Sequence, residues 1–234
     1  MNSGRECAHH LGVDVLPNER VRTFGSHWLI QSKRGFEPCP WAFDLAHFAP
    51  MRTHDRVLDL GCGAGPLMVA LSMVEPHLKA VIGVELDKAR ASQAHRNLRL
   101  NQLDNALIVR GDVRALPIPA AFDIVVTNPP FYPMGWGRQS ANDEQLSATH
   151  EVNGTLMDFM GAARKAIKED GQLVVVYDSS RLAALLGALP SFGLLAKKIR
   201  FLEDDRGKAS RVLLLAGRGG TGLAVDTHRS MNLG

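Results

Sequence analysis

The most informative stretch of the chain reads Arg56-Val-Leu-Asp-Leu-Gly-Cys-Gly-Ala-Gly-Pro66. Its first five residues are mostly apolar and predict a buried strand. Glycines at the alternate positions Gly61, Gly63 and Gly65 allow a tight turn and a close approach of the backbone to a ligand. Pro66 suits the first position of a helix, and apolar residues continue beyond it at helical spacing. The stretch therefore predicts a strand, a ligand-binding turn and a helix in direct succession.

Strands and helices alternate along the rest of the central region. Apolar runs predict further strands at residues 80–84, 106–109, 122–127, 172–177, 194–201 and 211–216. Helices are expected at residues 88–100, 156–167 and 180–189. In the helix at 88–100, capped by Asp87, the residues expected to face inward are Ala91, Ala94, His95 and Leu98. We therefore predict an α/β fold with a mostly parallel sheet, whose C-terminal edge is an antiparallel hairpin turning at residues 204–210.

The chain is expected to form one main domain at residues 51–225. Residues 1–20 are polar and patternless and are expected to be loose, as is a tail at residues 226–234. Residues 21–50 are interpreted as an N-terminal extension that packs on the main domain. It contains a short strand around Trp28 and a short helix between Pro40 and Pro50.

The composition excludes several classes of protein. No apolar run approaches the ~18 residues of a membrane span, and residues 1–20 lack the apolar centre of a secretory signal, so we expect no membrane partner. The scattered cysteines Cys7, Cys39 and Cys62 favour a reducing cytoplasm over a disulfide framework, and their spacing indicates no metal site. A net charge of +3 permits a nucleic-acid partner without requiring one.

Acidic residues mark the first three strands of the predicted sheet. Glu85 ends the second strand, where an acid accepts hydrogen bonds from both hydroxyls of a ribose. Asp59, in the first strand, is better suited to bind the cationic amino acid end of a ligand than the pyrophosphate group of a dinucleotide. Asp112, after the third strand, is an acceptor for an adenine amino group. NAD enzymes share part of this pattern, but the third glycine of G-x-G-x-x-G is missing. Acceptors without a phosphate clamp favour S-adenosylmethionine over a dinucleotide.

The sequence Asn128-Pro129-Pro130-Phe131 follows the fourth strand. Two prolines end the strand ladder and fix a stiff turn at the edge where open α/β sheets bind ligands. The Asn128 amide oxygen and the Pro129 carbonyl offer two acceptors, and Phe131 offers a flat face for stacking. These features suit a planar substrate that carries an NH2 group, such as a nucleobase. A strand-ending turn with a core Phe is the plainer alternative.

The motifs V-L-D-L-G-C-G-A-G, V-E-L-D, G-D-V and N-P-P-F resemble those of the class I S-adenosylmethionine-dependent methyltransferases, which have a Rossmann-like seven-stranded fold. Asn-Pro-Pro-aromatic marks the branch that methylates a nitrogen conjugated to a planar system, which includes adenine N6, guanine N2 and release-factor glutamine. The resemblance implies S-adenosyl-L-methionine as the cofactor. It implies catalytic roles for Asn128, Pro129, Pro130 and Phe131. It implies cofactor contacts from Asp59, Gly61, Cys62, Gly63, Gly65, Glu85, Leu86, Asp112, Val113 and Asn128.

The resemblance spans residues 21–225. Segments that flank the cofactor motifs indicate one particular family within this branch. Gln31-Ser-Lys-Arg-Gly-Phe36 is similar to the Q-x-K-x-G-[YF] lead-in of the bacterial family that methylates adenine N6 beside the anticodon of a valine tRNA. Ala148-Thr-His-Glu151 resembles the A-R-H-E segment of that family, with Thr149 in place of Arg. Phe131 stands where Tyr is commoner, and the segment 208–220 is similar to the closing strand. The implied function is N6 methylation of adenine in the anticodon loop of a tRNA.

Three alternatives stay open: a protein glutamine-N5 methyltransferase, an rRNA guanine-N2 methyltransferase, and a nucleic-acid-binding module without catalysis. A side-chain amide can make the same two hydrogen bonds as an adenine amino group, although no N-terminal helical domain like that of the glutamine enzymes is expected here. The residues 135–154, without periodicity, are interpreted as a loop that closes over the substrate or merely connects two elements. No oligomeric state follows from the pattern. The expected RNA contacts are Lys33, Arg34, Arg138, Lys197, Lys198, Arg200, Arg206 and Lys208.

Overall fold

The computed structural model describes residues 4–33, 41–115, 117, 119–130, 154–204, 206–220 and 222–230. The predicted catalytic residue Phe131, the segment 148–151 and the expected RNA contacts Arg34 and Arg138 lie outside these residues.

An N-terminal module precedes the main sheet. It contains helix α1 (Gly4–His10) and the strands β1 (Glu19–Phe24) and β2 (His27–Ser32), which pair antiparallel. Ala8 and Val13 are buried in a small cluster with Ile30 and Leu100. The structure therefore corrects the expectation that residues 1–20 are loose. Apolar residues without a regular period do not predict a helix or strand from the sequence. Here these side chains pack against residues from later parts of the chain.

The main sheet contains strands β3 (Arg56–Leu60), β4 (Ala80–Glu85), β5 (Ala106–Arg110), β6 (Phe122–Thr127), β7 (Ile167–Asp178), β8 (Leu195–Glu203), β9 (Ala209–Gly217) and β10 (Ala224–Arg229). The helices after α1 are α2 (Ala42–Phe48), α3 (Pro66–Val74), α4 (Lys88–Leu100), α5 (Leu156–Ala166) and α6 (Leu182–Ala188). Short 3-10 turns span Ser179–Arg181 and Leu189–Phe192.

The strand order of the main sheet is β10-β8-β9-β7-β6-β3-β4-β5. Strands β3 to β7 pair in parallel, whereas β9 pairs antiparallel with both β7 and β8. The predicted α/β class, with a parallel sheet and a C-terminal antiparallel hairpin, is confirmed. The chain runs outward from β3 through β4 to β5 and then returns to β6 on the other side of β3. A topological switch point therefore lies between β3 and β6, where ligands bind at the carboxyl ends of the strands.

The expected loose tail at residues 226–234 is a strand over part of its length. β10 pairs in parallel with β8, and Asp226 accepts hydrogen bonds from Arg200 at 2.7 and 2.8 Å. Most β10 side chains are exposed, so no apolar alternation indicates this strand in the sequence. Within the described ranges the sheet therefore has one strand more than the seven that were predicted.

Apolar side chains cover both faces of the main sheet. One cluster packs α5 and α6 on the face that carries Leu58 and Val125, and the other packs α2 and α3 on the face that carries Val57. Phe43 in α2 is 6% exposed, and its ring centroid lies 4.6 Å from that of Phe24 in β1. The segment before β3 therefore contributes side chains to the core of the sheet domain.

Phe43→Ala tests this contribution. Removal of the buried ring should lower the free energy of unfolding by about 3–5 kcal/mol, because a cavity replaces close contacts. Urea denaturation followed by tryptophan fluorescence measures the change. The control is Leu107→Ala, at a side chain that is 55% exposed, which should change the free energy of unfolding by less than about 0.5 kcal/mol. A loss as small as that of the control would show that α2 does not belong to the core.

Candidate active site

The glycine turn after β3 is fixed against β4 by its backbone. Gly61 and Cys62 both donate hydrogen bonds to the Val84 carbonyl, at 2.9 and 3.0 Å. Gly61, Gly63 and Gly65 have φ angles of 75°, 57° and 82°, in a region that L side chains rarely adopt. A Cβ atom added at Gly63 would meet nothing within 4 Å. This side of the turn therefore faces open space, as a ligand-binding turn requires.

Asp59 is a buried carboxyl group in β3, 1% exposed. Its Oδ2 atom has no hydrogen-bond partner in the part of the chain that the structure describes. Burial, together with the negative charge of Glu85, raises the pKa of Asp59 to about 8. Because an uncompensated buried carboxyl group is costly, the site fits a ligand that brings a positive charge or a donor to this atom.

Glu85 lies at the end of β4, and two backbone amides orient its carboxylate. Oε2 accepts from the Gly63 amide at 2.8 Å, and Oε1 accepts from the Asp87 amide at 2.8 Å. The carboxylate is thereby fixed beside the glycine turn. Burial raises the pKa of the neighbouring Cys62 thiol well above its ordinary value, and the charges of Asp59 and Glu85 add to the effect. Cys62 is therefore an uncharged, unreactive turn residue.

Asp112 follows β5 and is paired with Arg114. Arg114 donates from Nε to Oδ1 at 2.9 Å and from Nη2 to Oδ2 at 2.5 Å. These hydrogen bonds lower the pKa of Asp112. A ligand amino group at Asp112 would compete with Arg114, a partner that the sequence did not predict. Of the two adjacent predicted contacts, Leu86 is half-buried and Val113 is buried in the core.

The Asn-Pro-Pro motif lies beside the glycine turn. β3 and β6 pair in parallel with Leu60 opposite Thr127, and Thr127 Oγ1 donates to the Leu60 carbonyl at 2.9 Å. Gly61 and Asn128 are therefore the residues that directly follow the last paired positions of two strands about 4.8 Å apart. This pairing sets the predicted acceptor motif and the predicted cofactor turn at one edge of the sheet.

The predicted site residues that the structure describes share the carboxyl edge of β6, β3, β4 and β5. Pro129 and Pro130 are buried, and Asn128 is half-buried. Phe159 of α5 was not predicted, yet a Cβ atom added at Gly61 would lie 3.1 Å from its ring.

In the described ranges, no group of three His, Cys, Asp or Glu side chains has metal-ligand geometry. No helix among these residues is long and apolar enough to cross a membrane.

Some residues have roles that differ from the predictions. His95, expected to face inward, is exposed and lines a surface crevice of about 350 Å³ near the C-terminus of α4, away from the carboxyl edge. Asn97 is the buried polar residue of that helix instead. Lys198 and Arg200, two expected RNA contacts, both pair with Asp226 of β10. These roles depend on contacts between elements, which the spacing along one element does not show.

Asp59→Asn tests the electrostatic state of the site in the ligand-free protein. Between pH values of about 4 and 8, Asp59 is ionised in the unfolded chain and protonated in the folded one, so unfolding releases a proton. The free energy of unfolding should therefore fall as the pH rises through this window, by up to about 1.4 kcal/mol per pH unit from this group. Asp59→Asn removes the contribution, and its stability relative to wild type should increase from pH 5 to pH 8. Urea denaturation across this pH range measures both proteins. If the free energies of unfolding of the two proteins changed with pH in parallel, the raised pKa of Asp59 would be contradicted.

Two sequence relatives of the chain share one name. Proteins from Tolumonas auensis and Erwinia tasmaniensis are both named tRNA1(Val) (adenine(37)-N6)-methyltransferase. The first is 26% identical over 172 residues, which cover 73% of this chain and 71% of the relative. The second is 30% identical over 174 residues, which cover 73% of this chain and 70% of the relative.

Solved structures share the architecture of the main sheet. TYW2 of M. jannaschii, solved in complex with AdoMet, matches with a TM-score of 0.59 at 13% identity, over 85% of this chain and 84% of that one. The putative RNA methyltransferase PH1948 from Pyrococcus horikoshii matches with a TM-score of 0.56 at 18% identity, over 93% and 97%. At these identities the likeness shows the fold alone, which is that of Rossmann-like methyltransferases.

A family model described as methyltransferase small domain matches residues 43–189, which is more than half of the chain. The match includes the glycine turn, the acids Glu85 and Asp112, and the Asn-Pro-Pro motif. The buried acceptor of Asp59 and the open side of Gly63 are compatible with a cofactor that carries an ammonium group. The chain thus belongs to the methyltransferase small domain family and is an S-adenosylmethionine-dependent methyltransferase.

Proposed function

We propose that this enzyme transfers a methyl group from S-adenosyl-L-methionine to the exocyclic N6 of an adenine in the anticodon-loop region of a tRNA, in the cytoplasm. The observation that carries the proposal is the pairing of Leu60 with Thr127, which sets Asn128 beside the glycine turn. The names of the relatives and the resemblance of the flanking segments support tRNA as the substrate.

The proposed cofactor contacts follow from charge and hydrogen-bonding capacity. S-adenosylmethionine supplies an activated methyl group on a sulfonium. Asp59 suits the ammonium of its amino acid end, because Oδ2 is buried and lacks a partner among the described residues. Glu85 suits the ribose hydroxyls, and Asp112 suits the adenine amino group in competition with Arg114. Further contacts are assigned to the turn and the adjoining strand ends, at Gly61, Cys62, Gly63, Gly65, Leu86 and Val113.

The proposed acceptor residues solve a specific chemical problem. An adenine amino group is a poor nucleophile, because its lone pair is delocalised into the ring. Asn128 Oδ1 and the Pro129 carbonyl, by accepting its two hydrogens, would let the nitrogen become tetrahedral and would stabilise the developing positive charge. No strong base is needed, since the proton can leave after the transfer. Pro130 stiffens the turn, and Phe131 would add base stacking worth roughly 1–3 kcal/mol.

A tRNA loop is a suitable substrate for this edge of the sheet. Single-stranded loops release a base from its stack at low cost, so the target can enter a pocket built around Asn128. β9 pairs antiparallel with both β7 and β8, so the carboxyl end of β8 lies at the same edge as Asn128. The connection from β8 to β9 carries the exposed residues Arg206 and Lys208. These two are the strongest candidates for phosphate contacts among the described basic residues, whereas Lys197 lies near the amino end of β8, away from this edge.

Asn128→Ala should reduce methyl transfer by about 100-fold or more, because the developing charge on the amino nitrogen loses one acceptor. Cofactor affinity should be largely kept. The assay offers a labelled methyl donor with tRNA, rRNA, DNA and release factor separately and identifies the methylated product. The wild-type enzyme should yield N6-methyladenosine in tRNA.

The matched control is Asn105→Ala. Asn105 donates to the Leu78 carbonyl at 2.8 Å at the start of β5, the opposite end of the sheet, so methyl transfer should be unchanged. Near-normal transfer by Asn128→Ala would refute the role of the motif. A wild-type product of N2-methylguanosine in rRNA or N5-methylglutamine in release factor would refute the substrate.

A further inference from the structure

Asn97 is a polar side chain that is completely buried in α4, with 0% exposure. Its Oδ1 atom accepts from the Ile30 amide at 2.6 Å, and its Nδ2 atom donates to the Ile30 carbonyl at 3.2 Å. The amide group thus imitates the pairing that a neighbouring strand would offer to β2. Because β2 has only β1 as a strand partner within the described ranges, Asn97 satisfies backbone groups on its other edge.

Asn101 repeats this arrangement one helical turn later. It accepts from the Trp28 amide at 3.0 Å and donates to the Trp28 carbonyl at 2.8 Å. The two side chains therefore bind alternate residues of β2, and together they dock the β1–β2 hairpin onto α4. Arg96 strengthens the docking through two bonds to the Glu19 carboxylate, at 2.5 and 2.6 Å.

Asn97 differs from Asn101 in one contact. Its Nδ2 atom also donates to the carbonyl of Ala64, at 2.9 Å, and Ala64 lies inside the glycine turn. The two hydrogens of one amide therefore connect the hairpin with the turn. Gly65, the next residue, packs on Ala94 of the same helix, since a Cβ atom added there would lie 3.4 Å from the Ala94 Cβ. The side-chain hydrogen bonds of Asn101 go to Trp28 and to the Asn97 carbonyl, and not to the turn.

We propose that Asn97 is a positioning residue for the cofactor, which fixes the peptide between Ala64 and Gly65 and couples docking of the β1–β2 hairpin to cofactor affinity. Glycines are freer than other residues, so a turn with glycines at positions 61, 63 and 65 loses conformational entropy when a ligand orders it. Asn97 removes part of that freedom before binding, through its bond to the Ala64 carbonyl. The inference rests on the cofactor class of the enzyme and is independent of the RNA that it methylates.

The test compares Asn97→Ala with Asn101→Ala. Both variants weaken hairpin docking by removing the two bonds to one residue of β2, but only Asn97→Ala frees the Ala64 carbonyl. We expect calorimetry with S-adenosylhomocysteine to show a dissociation constant about tenfold higher for Asn97→Ala, and one close to that of wild type for Asn101→Ala. In the ligand-free proteins, hydrogen exchange of residues 61–66 should be faster in Asn97→Ala alone, whereas exchange in β2 should be faster in both.

Equal cofactor affinities in the two variants would overturn the proposal, because hairpin docking alone would then account for any effect. Unchanged exchange of residues 61–66 in Asn97→Ala would overturn it as well. If Asn97→Ala does not fold at the assay temperature, Asn97→Leu replaces it, with Asn101→Leu as its control. Leucine fills the space of the buried amide but makes no hydrogen bond to Ile30 or Ala64, and the same comparison of cofactor affinity and hydrogen exchange is made. A loss of methyl transfer to tRNA with normal cofactor binding would concern the proposed substrate and not Asn97.

Discussion

The site depends on one electrostatic constraint, a carboxyl group buried in the central strand of the sheet. Asp59 lies between β4 and β6, opposite Gly83 and Val126, with Oδ2 buried and without a partner in the described part of the chain. Burial and the charge of Glu85 disfavour its ionised form. A ligand with a cationic end would offset this cost, so the ligand-free enzyme is already adapted to bind positive charge.

The parallel pairing around the switch point gives this constraint its functional context. The bond from Thr127 to the Leu60 carbonyl aligns the ends of β6 and β3, so that the motif at Asn128 and the glycine turn are neighbours. The turn itself is fixed by the Val84 carbonyl, the Glu85 carboxylate and the Asn97 amide. Its remaining side faces open space. A rigid turn beside a stiff Asn-Pro-Pro segment suits a reaction in which positioning of two reactants supplies much of the rate.

The central strands and the ligand-binding edge could be predicted because their signals are local. Residues 56–66 combine an apolar run, spaced glycines and a helix-starting proline, and each acid at a strand end follows an apolar run of its own. Other features depend on contacts between distant segments. β10 is stabilised by pairing of Asp226 with Arg200 on β8 and has no apolar period. Arg114 donates hydrogen bonds to the Asp112 carboxylate. Asn97 is buried at a position of α4 where helical spacing predicts an apolar residue. A buried amide of this kind is recognisable only once its partners, Ile30 and Ala64, are known.

The most direct test of the account counts the protons exchanged when the cofactor site is filled. S-adenosylhomocysteine, which carries the same ammonium group as the methyl donor, is titrated calorimetrically at pH 7 in buffers of different ionisation enthalpy. The raised pKa of about 8 means that Asp59 is largely protonated before binding. Contact with the ammonium should ionise Asp59, so the wild-type enzyme should release about one proton per site on binding. Asp59→Asn should release none. Binding without proton release, or equal release by both proteins, would contradict the assignment of Asp59 to the cationic end of the cofactor.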